Sequence, residues 1–134
     1  MQAFKAYNQY KQNSVNTAQP EELVLMLYNG LIKFIMRGRE AIISGNIEEA
    51  NRSIVRAQEI VHEFLSTLDR SYEVSKGLEA MYEYMYRRLL EANVSKDLTI
   101  LEEILGYAKE FRDTWEEAMK IAKRPGKANN EVNG

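Results

Sequence analysis

Proline is almost absent from the interior of this chain. The 134 residues include two prolines, Pro20 and Pro125, and both lie near the ends. Proline breaks helices because it lacks a backbone N–H, so the long stretch between these two residues is free of the strongest obstacle to helix formation. That stretch is rich in leucine, alanine, glutamate, methionine, arginine and lysine, which favour helix. The sequence therefore predicts an all-α protein.

Apolar residues recur every three or four positions in four segments of this stretch, as they do along one side of an amphipathic helix. We predict helices over residues 20–44, 46–68, 78–93 and 98–123. The links between them are short, and helices joined by short links pack as antiparallel neighbours. The predicted fold is therefore an antiparallel up-down four-helix bundle.

Single residues mark where these helices begin. Pro20 suits a first helical position, because the N–H that it lacks is not needed there. Gly45 is a natural left-handed stop for the first helix, and Asn46 directly after it is a good N-cap for the second. We predict Asp97 as the N-cap of the fourth helix.

The two ends of the chain differ from the helical stretch. Residues 1–19 have no helical period of their own, and we predict an extended N-terminal segment there. Residues 20–124 form the predicted bundle domain. Residues 125–134 are polar, and we predict that they form a disordered tail.

The N-terminal segment contains three aromatic residues at three-residue spacing, Phe4, Tyr7 and Tyr10. One or two turns of induced helix would align them on one side. The pattern fits a tail that packs back on the bundle, and it also fits a docking or gating segment.

Composition and charge exclude several classes of function. Eighteen basic and twenty acidic residues are interspersed and give a net charge of −2, so no basic stripe is available to bind nucleic acid. Cysteine is absent, which excludes disulfides and thiolate metal ligands. The longest apolar run, residues 23–32, ends at Lys33 and is too short to insert across a membrane. The N-terminus lacks a hydrophobic signal core, so we expect a cytoplasmic protein.

One pair of residues resembles part of a metal site. Glu59 and His62 lie three apart on the second predicted helix, which is the half-motif of carboxylate-bridged di-iron bundles. The chain has one histidine, so a complete site needs a second chain. A bundle metalloenzyme that uses this pair across a dimer is the weaker alternative. Phosphate-binding loops and nucleophilic triads are missing, and we predict no enzyme activity, cofactor, metal or small-molecule substrate.

The third predicted helix carries more apolar residues than one buried seam explains. Met85 and Leu89 belong to the seam, whereas Tyr84, Tyr86 and Leu90 turn away from it. A helix that is apolar on more than one side has more than one surface to cover. The surplus fits a groove that binds a partner helix, and it equally fits a thick core or a dimer interface.

Four ordered motifs give the chain a family resemblance. They are S-V-N-T-A-Q-P at residues 14–20, L-M-L-Y-N-G at 25–30, M-Y-E-Y-M-Y-R-R-L-L-E-A-N at 81–93 and F-R-D-T-W at 111–115. In sequence and spacing they resemble the flagellin export chaperone family, FliS. The similarity extends over nearly the whole chain and spares about the last ten residues.

The resemblance implies a function. Members of this family look like helical bundles of the bacterial cytosol that hold the C-terminal segment of flagellin as induced helices. They prevent its premature polymerisation and help deliver it to the cytoplasmic domain of the flagellar type III export gate. By the same resemblance, Phe4, Tyr7 and Tyr10 belong to an N-terminal cap that covers part of the binding surface and takes part in docking at the gate.

The surplus apolar residues and the resemblance together predict where flagellin binds. We expect flagellin to contact six apolar residues that are not needed for the buried seam. They are Tyr28, Ile32, Ile60, Tyr84, Tyr86 and Leu90. Tyr82, Tyr84 and Tyr86 alternate between faces of the helix, so not all three can lie at the surface.

Overall fold

The computed structural model describes residues 20–122 of the chain. Four helices make up most of this range: α1 (Pro20–Ile43), α2 (Ile47–Thr67), α3 (Ser75–Ser95) and α4 (Leu98–Ala122). The predicted all-α bundle is confirmed, and each of the four predicted helices is present. The predicted N-terminal segment and the predicted C-terminal tail lie outside the described residues.

The predicted helix boundaries are confirmed in the turn before α2 and in the turn before α4. The side chain of Asn46 accepts a hydrogen bond from the backbone N–H of Glu49 over 3.1 Å and caps α2. Gly45 before it has φ of 79°, a left-handed conformation that glycine adopts without steric cost. At the start of α4 the carboxylate of Asp97 accepts from the backbone N–H of Thr99 over 2.8 Å. These local contacts satisfy backbone donors that a helix N-terminus leaves without partners.

The start of α3 differs from the prediction, because α3 begins at Ser75 rather than at Leu78. Its first turn contains Ser75, Lys76 and Gly77, which carry no apolar period, so the sequence pattern misses it. Ser75 is buried, and its hydroxyl donates to the backbone carbonyl of Asp69 in the preceding link. A tertiary hydrogen bond therefore extends the helix by one turn.

Contacts between α1 and α4 show that these helices run in opposite directions. Near the start of α1, the carbonyl of Glu21 accepts a hydrogen bond from Trp115 Nε1, late in α4, over 2.8 Å. Near the end of α1, Arg39 pairs with Glu102, early in α4, over 2.9 Å. The first and last helices are therefore antiparallel neighbours, and they close the ring of four.

The remaining neighbours are antiparallel as well. Asn93, late in α3, donates through Nδ2 to Asn51 Oδ1, early in α2, over 2.8 Å. Arg88 of α3 contacts Glu103 of α4 over 3.3 Å. Together with the link from α1 into α2, these contacts confirm the up-down order of the bundle.

One aromatic ring from each helix meets in a cluster at the end of the bundle where α1 begins. Tyr28 stacks on Phe64 at 4.6 Å between ring centroids, and Phe64 stacks on Tyr82 at 5.3 Å. Phe111 lies 6.0 Å from Tyr28 and 5.7 Å from Tyr82. The two tyrosine hydroxyls are 2.7 Å apart and hydrogen-bond to each other. The only polar atoms of the cluster side chains therefore satisfy one another inside the core.

The rest of the core is aliphatic. Ile54, Leu89, Leu101 and Ile104 are fully buried there. At Gly38, α1 approaches α2 so closely that an added Cβ would lie 3.0 Å from Ile54 Cγ1. A side chain at Gly38 would therefore push these two helices apart.

Two apolar residues at helix ends are exposed, although the helical period places them on the apolar side of their helices. Ile47 is the first residue of α2 and lies beyond the packed core, with 53% of its surface exposed. Ala122 ends α4, several residues past Trp115, the level at which α1 begins. Helical period alone does not show where the neighbouring helix stops, so the pattern overestimates burial at helix ends.

The tyrosine pair gives a test of the core. We expect Tyr28→Phe and Tyr82→Phe each to lower the free energy of unfolding by about 1–3 kcal/mol, because the remaining hydroxyl loses its buried partner. The double variant should lose less than the sum of the two, which urea denaturation in a double-mutant cycle would show. Additive losses would mean that the two hydroxyls do not interact.

The same pair predicts a pH dependence. Burial raises the pKa of both phenols, and for Tyr28 the neighbouring Tyr82 raises it further. Because the folded pKa lies above the unfolded value of about 10, the contribution of the pair is full below that pH and is lost as pH rises above it. Stability should therefore fall above about pH 10 more steeply in the unmodified chain than in the double phenylalanine variant.

Two helical glycines provide a matched pair of variants. Gly106 is exposed in the middle of α4 with no atom within 4 Å of an added Cβ, so Gly106→Ala should stabilise the fold by about 0.5–1 kcal/mol. Gly38→Ala should destabilise it, because Ile54 is fully buried and cannot move aside freely. Thermal unfolding of both variants checks this, and a stabilising Gly38→Ala would show that the contact between α1 and α2 is looser than described.

Candidate functional site

Exposed apolar residues form a line along α3 on the side where it meets α2. Tyr86, Leu90 and Val94 are spaced four apart, with 37%, 48% and 82% of their surfaces exposed. Residues at this spacing share one side of a helix, and the line is roughly 12 Å long at 1.5 Å per residue. Val55 of α2 is also exposed. We call these four residues the α2–α3 face.

Two contacts between α2 and α3 lie along the α2–α3 face. Towards one end of the bundle, Asn93 donates to Asn51 over 2.8 Å. Towards the other end, the rings of His62 and Tyr86 lie 6.3 Å apart. Each contact joins α2 to α3, so the two helices hold a fixed register between them. That register brings Val55 to the level of Leu90, midway between the two contacts.

Three of the six predicted contact residues are buried. Tyr28, Ile32 and Ile60 retain only 5%, 6% and 9% of their surfaces exposed. Tyr28 is part of the aromatic cluster, and Ile60 packs against α1 beside Gly30. Neither belongs to the α2–α3 face, because both lie in the core of the described fold, and their role as flagellin contacts stays a prediction. The sequence could not separate them from surface residues, because Tyr28 belongs to a wide apolar stripe on α1 and Ile60 lies off the predicted seam of α2.

Tyr84 lies on the opposite flank of α3, where α3 meets α4. Its hydroxyl donates to Glu103 Oε2 over 2.6 Å, and this bond raises the pKa of Tyr84. Glu103 also accepts from Arg88, and the ring of Tyr107 meets that of Tyr84 edge-on at 6.3 Å. Arg87 lies over the Tyr84 ring, 5.5 Å from its centroid. Tyr84 is thus half-buried in a polar cluster that joins two helices.

Tyr86 and Leu90 are the two predicted contact residues that lie on the α2–α3 face. The six predicted residues therefore occupy three places: the core or its edge, the flank facing α4 and the flank facing α2. The prediction missed Val55 and Val94 of this face. Val94 continues the four-residue spacing of Tyr86 and Leu90, so the sequence did contain the signal for it.

Apart from the α2–α3 face, an open groove lies along the outer side of α1. This α1 groove has a volume of about 700 Å³. Ile32 and Met36 supply apolar surface in it, so Ile32, although nearly buried, still borders an accessible space. Its lining comes from α1, from the turn after it and from the start of α2. The lining residues are Asn29, Ile32, Lys33, Met36, Arg37, Glu40, Ala41, Ser44, Asn46 and Glu49.

His62, the histidine of the alternative metal site, is exposed, and its ring lies against Tyr86. Among residues 20–122, no three histidine, cysteine, aspartate or glutamate side chains are grouped so that they could hold a metal ion. Phe4, Tyr7 and Tyr10 lie outside the described residues.

None of the four described helices combines the length and the apolarity that crossing a bilayer requires. A small antiparallel bundle with an apolar line on one helical face is typical of proteins that bind a partner helix.

Comparison with known proteins identifies the family. The profile of the family described as "Flagellar protein FliS" matches residues 3–122. The chain is 47% identical over 118 residues to the flagellar secretion chaperone FliS of Bacillus subtilis (strain 168), which covers 88% of this chain and 89% of that protein. It is 34% identical over 122 residues to the flagellar secretion chaperone FliSB of Pseudomonas aeruginosa, covering 87% and 97%. The chain belongs to the FliS family.

Membership in this family confirms the resemblance that the four motifs predicted. The curated relatives carry the name of a flagellar secretion chaperone, and FliS is a family of chaperones rather than of enzymes. The chain is therefore a flagellar chaperone of this family and not a metalloenzyme built on Glu59 and His62.

Neighbouring leucines of α3 test the assignment of the face. Leu89 is fully buried, whereas Leu90 is 48% exposed. Leu89→Asp should lower the free energy of unfolding by several kcal/mol, because it places a charge in the core. Leu90→Asp should lower it by less than about 1 kcal/mol, mostly through the weaker helix propensity of aspartate. Urea denaturation of both variants distinguishes them, and equal losses would place Leu90 in the core.

Proposed function

We propose that this chain binds the C-terminal segment of flagellin, which is disordered when free, as induced helices on its surface. In this way it keeps flagellin from polymerising prematurely and delivers it to the cytoplasmic domain of the flagellar type III export gate. The observation that carries the proposal is the exposed apolar line Tyr86, Leu90 and Val94 with Val55 beside it. Membership in a family of flagellar chaperones supports a flagellar client, and this face offers a place for it.

The geometry of the α2–α3 face suits an amphipathic helix. Such a helix presents apolar residues at three- and four-residue steps, and the line along α3 has the same spacing. Burying apolar surface between them contributes about 25 cal/mol per Å² before ordering costs. The contacts Asn51–Asn93 and His62–Tyr86 join α2 to α3 along this face, so the apolar line of α3 has a fixed position relative to α2.

Binding in this mode hides the client's own apolar face. The C-terminal segment of flagellin has to fold in order to bind, and the same apolar residues are those through which it would associate with other copies. While they are buried against the α2–α3 face, they are unavailable for polymerisation. Burial of this kind is reversible, so the client can be released at the export gate.

The N-terminal segment adds a proposed second role. We propose that Phe4, Tyr7 and Tyr10 cover part of the binding surface in the free chain and take part in docking at the gate. The spacing of three between these aromatic residues supports a short induced helix that presents them together. Because the client is handed over on the cytoplasmic side of the gate, the proposed location is the bacterial cytosol.

Calorimetric titration with the C-terminal segment of flagellin tests the proposal. The unmodified chain should bind near one to one with a large negative heat-capacity change, which marks coupled folding and burial of apolar surface. Leu90→Asp should weaken binding at least about tenfold, or ~1.4 kcal/mol, because the client would have to desolvate a charge. Thr114→Asp, at an exposed position of α4, is the matched control and should bind as the unmodified chain does.

A second titration examines the N-terminal segment. A chain lacking residues 1–16 should bind flagellin more tightly if the segment competes for the same surface, since competition lowers apparent affinity. Unchanged affinity would argue against a cap. Absence of heat and of a complex on gel filtration, with the unmodified chain, would rule out the proposed client altogether.

A further inference from the structure

Lys96 orients the side-chain amide of Asn93 on the side of α3 that faces α2. Its Nζ donates to the backbone carbonyl of Asn93 and, over 2.7 Å, to the side-chain Oδ1 of the same residue. An ammonium group has three donors and no acceptor. The oxygen of the Asn93 amide is therefore held towards Lys96, and the Nδ2 group of Asn93 is turned towards α2.

The orientation of Asn93 decides the orientation of a second amide, Asn51 of α2. Asn93 Nδ2 donates to Asn51 Oδ1 over 2.8 Å, so the oxygen of Asn51 is used within the chain. Asn51 is exposed, and its Nδ2 group has no hydrogen-bond partner among residues 20–122. We call this group, which carries two N–H donors, the Asn51 donor. The order Lys96, Asn93, Asn51 thus ends in a donor that is presented to solvent.

The backbone of Lys96 suggests that this order has a function beyond closing the helix. Lys96 ends α3 in a left-handed conformation, with φ of 53°. Glycine is the usual residue at such a position, because a Cβ is strained there. A glycine would end α3 with less strain, but it could not orient the Asn93 amide. A strained residue that is retained in this way points to a role in binding.

The Asn51 donor lies beside the exposed apolar line of α3. Asn93 follows Leu90 by three residues and directly precedes Val94, so its contact with Asn51 falls on the flank of α3 that carries this line. Val55 follows Asn51 by one turn of α2 and shares a side with it. A client helix packed on Leu90 and Val94 therefore comes within reach of the Asn51 donor.

The apolar line by itself does not fix the register of a client helix. Its members repeat every four residues, so a client displaced by one turn would make apolar contacts of the same kind. A polar side chain beside an apolar seam removes this ambiguity, as a single asparagine does in coiled coils. A donor that is covered without an acceptor loses its hydrogen bonds to water, which penalises every register that brings no acceptor.

Resting on the proposed function, we propose that Asn51 determines the register of the client by donating to an oxygen on one client side chain. The client residue carries a carboxylate or amide oxygen and projects beside the apolar side of the client helix. Lysine or arginine at that client position is rejected, because neither side chain has an acceptor. Asn51 is thus a specificity residue of the α2–α3 face, and Asn93 and Lys96 are the residues that position it.

Two carboxylate variants reverse the polarity of the presented group. Asn51→Asp keeps one oxygen for Asn93 and presents a second oxygen where Nδ2 was. Asn93→Asp offers oxygens to both of its neighbours, so Asn51 has to turn its Nδ2 group towards residue 93 and its oxygen outwards. The second variant therefore reverses the presented group while Asn51 itself is unchanged.

Calorimetric titration of the full chain with the C-terminal segment of flagellin tests the proposal. Each carboxylate variant should bind about tenfold more weakly, because two acceptors then face each other. Asn51→Leu should also bind about tenfold more weakly, since the client oxygen loses its donor even though leucine adds apolar surface. Thr114→Asp, on exposed α4, controls for the added charge and should bind as the unmodified chain does. Circular dichroism at the titration temperature should show that every variant is folded.

The alternative outcomes separate the proposal from the function on which it rests. Unchanged or tighter binding by Asn51→Leu would overturn the proposal, and a loss confined to the carboxylate variants would then be an effect of charge. If Leu90→Asp still weakens binding in that case, the proposed use of the α2–α3 face stands. Tighter binding by Asn51→Asp would assign the donor to a competing segment of this chain, such as residues 1–19, and would also overturn the proposal. Absence of binding by the unmodified chain would overturn the proposed function itself.

Discussion

The hydrogen bond between Tyr28 and Tyr82 joins α1 to α3 inside the core, within a cluster of rings to which all four helices contribute. Each hydroxyl satisfies the other, so two polar groups can lie inside a core in which a lone hydroxyl would be destabilising. Around them Phe64 and Phe111 complete a stacked cluster of four rings. Four helices that share one rigid cluster cannot shift independently, and the register of the surface residues depends on this constraint.

The fixed register of the four helices places the apolar residues of α3 on three different sides of that helix. Its inner side, with Met85 and Leu89, is fully buried. One flank places Tyr84 in a polar cluster with Glu103, where the tyrosine helps to join α3 to α4. The other flank presents Tyr86 and Leu90 to solvent beside α2. Three sides of one helix therefore serve three purposes: packing in the core, joining α3 to α4 and presenting an exposed apolar line beside α2.

Interactions between residues close in sequence explain which features of the fold the sequence could predict. Helix period and the capping residues Asn46 and Asp97 act within a few residues, and the four helices follow from them. Burial depends instead on neighbours that are distant in sequence. Tyr28 and Leu90 are both surplus to a simple seam, yet the first lies in the core and the second lies at the surface. The sequence therefore predicted the family and the fold, but it placed only Tyr86 and Leu90 on the α2–α3 face.

In the proposed complex, a rigid bundle and a disordered client would divide the ordering cost of binding unequally. The core of this chain is already packed, with its largest aliphatic residues fully buried, so the chaperone would lose little conformational freedom. The proposed client would lose most, because each of its residues has to be fixed as helix at a cost of about 1–2 kcal/mol. A single line of roughly 12 Å is a small contact to offset that cost. Useful affinity in the proposed complex therefore requires apolar contact beyond this line.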